Sequence, residues 1–301
     1  MIPDTLTIGS RGSALALWQA RTVAARLEAA HPGLTCCIEI VKTTGDVLRE
    51  ASLTAIAGKG VFTKEIEDAL LERRVDLAVH SLKDLPTTLP DGLKLGAITE
   101  REDARDAFCA APGIASLGSV RRGARIGTSS PRRRSQLLAW RSDLELVELR
   151  GNVDTRLNKI ETEGLDGVVL ACAGLRRLGF EERITEPIEV DRMVPAVGQG
   201  ALGIEIRVDD PAVEEAVAVL VDAATAACCE AERTFLAAMG GGCAVPIAAH
   251  AVVSADRMTI VSAVAMEDGA VVRHRESGDV GNARALGEAL AARHRSAEAA
   301  L

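Results

Sequence analysis

The chain has no tyrosine, and its aromatic residues are six: Trp18, Phe62, Phe108, Trp140, Phe180 and Phe235. So few rings exclude the stacked platforms that hold single-stranded nucleic acid. A formal net charge of -8 argues against a general nucleic-acid or anionic-membrane surface, while leaving local fields open. No apolar run approaches the length of a membrane span, and Met1-Ile-Pro-Asp-Thr5 lacks the basic start and apolar core of a signal peptide. A cytoplasmic protein that binds neither nucleic acid nor membrane is therefore expected. The seven cysteines include the adjacent pairs Cys36-Cys37 and Cys228-Cys229, but form no C-x-x-C and no Cys/His ligand spacing. Neither a metal site nor a disulfide framework is predicted. What is present is globular in balance, 48% hydrophobic and 26% charged, and 301 residues suggest two or three domains.

Along the chain, strands run repeatedly into helices through glycine and serine. Thr5-Leu-Thr-Ile8 alternates as a strand, and Gly9-Ser10-Arg11-Gly12-Ser13 leads to a helix whose stripe is Ala20, Val23, Ala24 and Leu27. Such a junction offers unpaired N–H groups and the positive end of a helix dipole, which suits an anion; Arg11 and Ser13 lie there, and an N-cap serine beside a solvated arginine is the alternative. Cys36 to Val41 reads as a second strand, and residues 50–60 as a mobile, lid-like segment. Phe62, Ile66, Ala69 and Leu70 mark a helix. Val75 to His80 is a buried strand that delivers Ser81, Lys83 and Asp84 past its C-terminal end, where open α/β sheets place their sites. His80 itself reads as a core histidine with a partner rather than as a base.

From Arg121 to Ser142 there are seven arginines and no acidic residue. Ser130 and Pro131 start a helix with Arg132 and Arg133 in its first turn, where cations oppose the dipole, and a polyanionic ligand would explain them. Arginines recur at Arg150, Arg156 and Arg177, each near an element end. Ile8-Gly9-Ser10 before Trp18 is echoed by Ile126-Gly127-Thr128 before Trp140, which suggests two similar α/β lobes facing a shared cleft. After residue 221 the pattern changes to a small α+β unit, in which Gly240-Gly241-Gly242 precedes Cys243 at a hinge between a helix and a strand.

The stretches Ser10 to Ala16, Gly58-Lys59-Gly60-Val61-Phe62, Ala78 to Asp84, Gly127 to Arg133, Leu149 to Val153, Pro195 to Gly200 and Gly241-Gly242-Cys243 together resemble the porphobilinogen deaminase (hydroxymethylbilane synthase) family. The resemblance implies a transferase of tetrapyrrole and heme biosynthesis. It would join four porphobilinogen molecules head to tail, releasing ammonia, into hydroxymethylbilane, on a dipyrromethane primer held by a thioether to Cys243. It also implies two similar periplasmic-binding-protein-like lobes, residues 1–99 with 196–221 and residues 100–195, a C-terminal α+β domain at 222–301, and a monomer. Carried onto this chain, Asp84 is the catalytic carboxylate. Cys243, Lys83, Ser129, Arg132, Arg133, Arg156, Ser13 and Thr128 would hold the cofactor, and Arg11, Arg150, Arg156, Arg177, Gln199, Lys59 and Ser81 the substrate. Ala55 stands where the family often has lysine. A non-catalytic two-lobe anion binder would share the arginines but have no use for Cys243 or Asp84. A thiol hydrolase would need a histidine base, and none lies near Cys243 in sequence.

Overall fold

The computed structural model describes residues 2–44, 63–240 and 246–298. Segment 50–60, with Ala55 and Lys59, and Cys243, the expected anchor, lie outside the described residues. The chain divides into two compact units, Met1–Glu102 with Ala201–Ala226, and Asp103–Gly200 with Ala227–Leu301.

In the first unit, β1 (Thr5–Ser10) leads to α1 (Ala14–Ala30) and β2 (Thr35–Ile40). Ser13 caps α1 by accepting the Ala16 N–H at 3.2 Å, and the stripe Gln19, Ala20, Val23, Ala24 and Leu27 turns inward. Then come α2 (Lys64–Leu71), β3 (Leu77–Ser81), β4 (Leu93–Ile98) and, after the chain has run through the second unit, β10 (Leu202–Arg207) and α6 (Pro211–Val217). The sheet order is β2-β1-β3-β10-β4; β1 is parallel to β2 and β3, and β10 is antiparallel to β3 and β4. Period-two alternation splits β3 between two cores: Leu77 and Val79 pack with Val23 and Leu27 of α1, and Ala78 with Ile66 and Leu70 of α2.

In the second unit, β5 (Asp106–Ala110), β6 (Arg125–Gly127), α3 (Pro131–Trp140), β7 (Glu145–Val147), α4 (Val153–Thr162), β8 (Gly167–Ala171), α5 (Cys172–Arg177) and β9 (Glu186–Ile188) form the order β7-β6-β8-β5-β9. Strand senses repeat those of the first sheet: β6 is parallel to β7 and β8, and β5 is antiparallel to β8 and β9. The sequence echo falls on equivalent register positions, since Gly9 lies opposite Ala78 and Gly127 opposite Val168. The two lobes therefore share one architecture. Strands β4, β5 and β9 were not foreseen; Asp106, Ala107, Phe108 and Cys109 of β5 are buried on both faces, so the segment shows no alternation to read.

Helix α7 (Ala223–Ala238), the antiparallel sheet β11 (Ile247–Ser254), β12 (Arg257–Ala265), β13 (Val271–Asp279) and α8 (Ala283–Glu298) form the expected C-terminal α+β part around Phe235, Met258, Ile260 and Leu290. Within the second unit α3 packs on β12 and β13, and Arg273 of β13 donates to the Arg192 carbonyl at 2.7 Å and to Gln136 Oε1 at 3.3 Å.

Candidate active site

In the first lobe, the C-terminal ends of β1 and β3 and the start of α1 converge on one pocket. Its walls include Arg11, Ser13, Gln19, His80, Ser81 and Asp84. The fold delivers them because parallel neighbours β1 and β3 end at the same edge of the sheet, each with polar residues just beyond. Gln19 is buried on α1 and its Nε2 donates to Ser81 Oγ at 2.8 Å, which ties the helix to the end of β3. Leu82–Asp84 then form a short 3-10 turn in which Leu82 is buried and Asp84 is exposed, so the turn projects the carboxylate outward. Lys83 is half-buried beside it.

In the second lobe, the corresponding junction is built around a buried carboxylate absent from the sequence expectations. Asp106, 0% exposed, receives Arg132 Nη1 at 2.7 Å and Arg133 Nη2 at 2.7 Å. Arg132 also donates to the Val194 carbonyl at 2.8 Å and Arg133 to the Val169 carbonyl at 2.9 Å. Burial acts to raise the Asp106 pKa, but the charges of Arg132 and Arg133 and hydrogen bonds from Arg132 and Gln199 outweigh it and hold the carboxyl well below the usual range. Burial in turn lowers the Arg132 pKa, against the favourable charge of Asp106. The counter-charge that α3 needs in its first turn is thus supplied partly by the protein itself. Ser130 caps α3 and Pro131 occupies its first turn, as the sequence implies.

Around this centre Thr128 is buried, and Ser129 bridges two segments: its Oγ donates to the Leu149 carbonyl at 2.6 Å and accepts the Leu149 N–H at 2.7 Å. That bridge sets the start of Arg150-Gly151-Asn152. Gly151 has φ +104, and a Cβ there would lie 2.7 Å from Thr155 Cγ2, so glycine is required. Arg150 pairs with Glu148 at 2.9 Å, Arg156 Nε donates to the Gly151 carbonyl at 2.7 Å, and Arg177 Nη2 to the Gly200 carbonyl at 2.6 Å. Gln199, expected at the substrate, is 1% exposed; its amide donates to the Ala104 carbonyl at 2.7 Å and to Asp106 at 3.0 Å. It reaches the site through Asp106. The structure thus groups Arg11, Ser13, Ser81 and Asp84 in one lobe, and Thr128, Ser129, Arg132, Arg133 and Gln199 in the other. Lys59 and Cys243 lie outside the described residues.

Family models match nearly the whole chain: "Porphobilinogen deaminase, dipyromethane cofactor binding domain" over residues 6–215, and "Porphobilinogen deaminase, C-terminal domain" over residues 226–295. The chain belongs to the porphobilinogen deaminase family. It is 50% identical to the porphobilinogen deaminase of Trichlorobacter lovleyi over 97% of this chain and 94% of that one. It is also 50% identical to that of Roseiflexus castenholzii, over 96% and 95%. Among solved structures, the periplasmic VFT2 domain of BvgS from Bordetella pertussis is similar with a TM-score of 0.43 and 11% identity, over 72% of this chain and 86% of that one. The matching strand orders, not this likeness, carry the two-lobe architecture. The enzyme is a hydroxymethylbilane synthase: it polymerises porphobilinogen, with loss of ammonia, into the linear tetrapyrrole hydroxymethylbilane, and its cofactor is dipyrromethane. No helix among the described residues is long and apolar enough to cross a membrane.

Proposed function

We propose that the addition of porphobilinogen takes place at the first-lobe pocket, with Asp84 as the carboxylate that accepts the pyrrole N–H and balances the positive charge developing as ammonia departs. The observation supporting this reading is the convergence of Arg11, Ser13, Gln19, Ser81 and the outward-facing Asp84 on one pocket wall. Arg11, Arg150, Arg156, Arg177, Lys59 and Ser81 bind acetate and propionate arms, and Gln199 positions the arginines through Asp106. Arginine suits carboxylates because its planar fork donates two parallel hydrogen bonds.

The residues fit the dipyrromethane cofactor. Arg132 and Arg133 bring two positive charges against the single carboxylate of Asp106, leaving one positive charge in excess at the start of α3. A cofactor carboxylate neutralises that excess and gains the helix dipole. Ser13, Lys83, Thr128, Ser129 and Arg156 complete the set that holds it, with Cys243 as its thioether anchor. When bound, the group supplies the pyrrole carbon on which the chain starts.

The division into residues 1–99 with 196–221, 100–195 and 222–301 belongs to the same proposal; the family-model boundary between 215 and 226 supports its C-terminal domain. So do a monomeric state, checked by sedimentation velocity, and residence in the cytoplasm, checked by cell fractionation.

Asp84→Asn tests the assignment. Asparagine keeps the size and one acceptor but not the charge, a loss worth about 3 to 4 kcal/mol, or a hundredfold to a thousandfold in rate. Single-turnover addition of one porphobilinogen to primed enzyme should slow by that factor while substrate affinity changes little. A loss under about fivefold, less than ~1 kcal/mol, would return Asp84 to an ordinary loop residue.

A further inference from the structure

Behind the first-lobe pocket lies a polar group that the fold does not need. His80, one residue before the end of β3, is 6% exposed and forms part of the pocket wall with Arg11, Ser81 and Asp84. Its Nε2 lies 3.0 Å from Oε2 of Glu205, which is 0% exposed on the neighbouring strand β10. The contact lacks the alignment of a hydrogen bond, and it becomes a charge pair only when His80 is protonated. Neither Glu205 oxygen nor His80 Nε2 has a hydrogen-bond partner among the described residues. A second acid, Glu67 of α2, is 6% exposed on the same side of the sheet. Burial pushes its carboxyl up and Glu205 adds to the effect, against Thr63 and His80. Among the described residues, the charged groups around His80 are Glu205 from β10, Glu67 from α2, and Arg11 and Asp84 in the pocket wall.

The second lobe shows what this position holds when only folding matters. Ala78 corresponds to Val168, since each lies opposite the strand glycine of the echo. Two residues on, His80 corresponds to Leu170; across the sheet Glu205, opposite Ala78, corresponds to Cys109, opposite Val168. Leu170 and Cys109 are buried and apolar. An equivalent lobe closes its core there without any ionisable pair, and burying such a pair costs desolvation that apolar packing avoids.

We infer that His80 and Glu205 are the proton-holding element of the first-lobe pocket, with Glu205 positioning the ring and His80 taking the proton released at each addition. This rests on the reading that addition occurs beside Asp84. In each addition the C–N bond of the aminomethyl arm breaks, its electron pair leaving with ammonia, and one C–C bond forms. The chain-end pyrrole carbon then gives up its proton, and the C–H electrons restore the ring. That proton passes to Nδ1, the imidazole's other basic atom, giving an imidazolium paired with the Glu205 carboxylate. It is handed on to ammonia, which leaves as ammonium, and the pair returns to its starting state. Asp84 stabilises charge and His80 accepts the proton, so the two carry separate tasks.

The test joins a kinetic and a spectroscopic measurement. In 15N-histidine-labelled enzyme, with the His80 signals assigned through His80→Gln, Glu205→Gln should move the Nε2 resonance and weaken the preference for a proton on Nε2, because the facing carboxylate favours the proton there. In single-turnover addition, His80→Gln should slow the reaction about tenfold to a hundredfold and flatten the acidic limb of the pH profile. Glu205→Gln should slow the addition as well, and Glu205→Asp should restore part of the rate. His80 ring signals indifferent to Glu205→Gln overturn the inference without any variant having to react. An unchanged profile in His80→Gln, with Asp84→Asn strongly impaired, overturns it alone; an unimpaired Asp84→Asn overturns the pocket assignment beneath it.

Discussion

Asp106 holds two guanidiniums in a space from which water is excluded, and the consequence of removing its charge follows from that. In Asp106→Asn, Arg132 and Arg133 keep their backbone carbonyl partners but face each other buried without a counter-charge, a loss of about 3 to 5 kcal/mol. Equilibrium denaturation should show it as a lowered midpoint with an unchanged slope; a change under ~1 kcal/mol would mean that water screens the pair. The pH dependence has a definite sign. The folded carboxyl lies below its unfolded value of about 3.9, so this contribution is full above about pH 4 and is lost as pH falls further. Nothing next to Asp106 in sequence announces this role. The signal was indirect: seven arginines without an acid between Arg121 and Ser142 require a carboxylate from elsewhere, and the sequence reading assigned that need to the ligand alone. Glu205 and Glu67 were missed for a related reason, since a buried acid and a solvated one look alike in a sequence.

At the level of elements, α8 and the C-terminal sheet meet through histidines. His294 is buried, its Nε2 lies 2.8 Å from Ser262 Oγ, and its ring centre is 4.5 Å from that of His274 on β13. Burial, and then the neighbouring His274, lowers its pKa to about 4. The unfolded value is about 6.5, so the unfolded chain binds the proton first. Stability from this packing should be full above about pH 6.5 and decline as pH falls toward 4. Thermal melts across that window should show the decline in the parent and a shallower one in His294→Gln. An equal slope in both would place the acid sensitivity elsewhere. Helices α1 and α3 were legible because their caps are local: Ser13 and Ser130 accept N–H groups three residues on, a contact written in the sequence. Strand β5, buried on both faces, carries no such local mark, and the antiparallel places of β5 and β10 depend on partners far along the chain, Ala171 for Asp106 and Ser81 for Leu202.

For the whole molecule, the proposed cofactor anchor makes the sharpest prediction. Cys243→Ser should fold but remain unprimed, because a hydroxyl is a far weaker nucleophile than a thiolate. Intact-protein mass spectrometry should find the two-pyrrole adduct on the parent and none on the variant; an adduct on the variant would move the anchor to another residue. The strand-to-helix units β1–α1 and β6–α3, the internal echo and the spacing of Ser81, Lys83 and Asp84 are determined by the sequence alone, because period, capping and chain-adjacent placement act over a few residues. Tertiary structure decided which charges neutralise one another: that Asp106 meets Arg132 and Arg133, that Gln199 turns inward to Asp106 and that Glu205 lies against His80. Those pairings join segments distant in the chain, and only when the sheets close and exclude water does a charge have to find its partner.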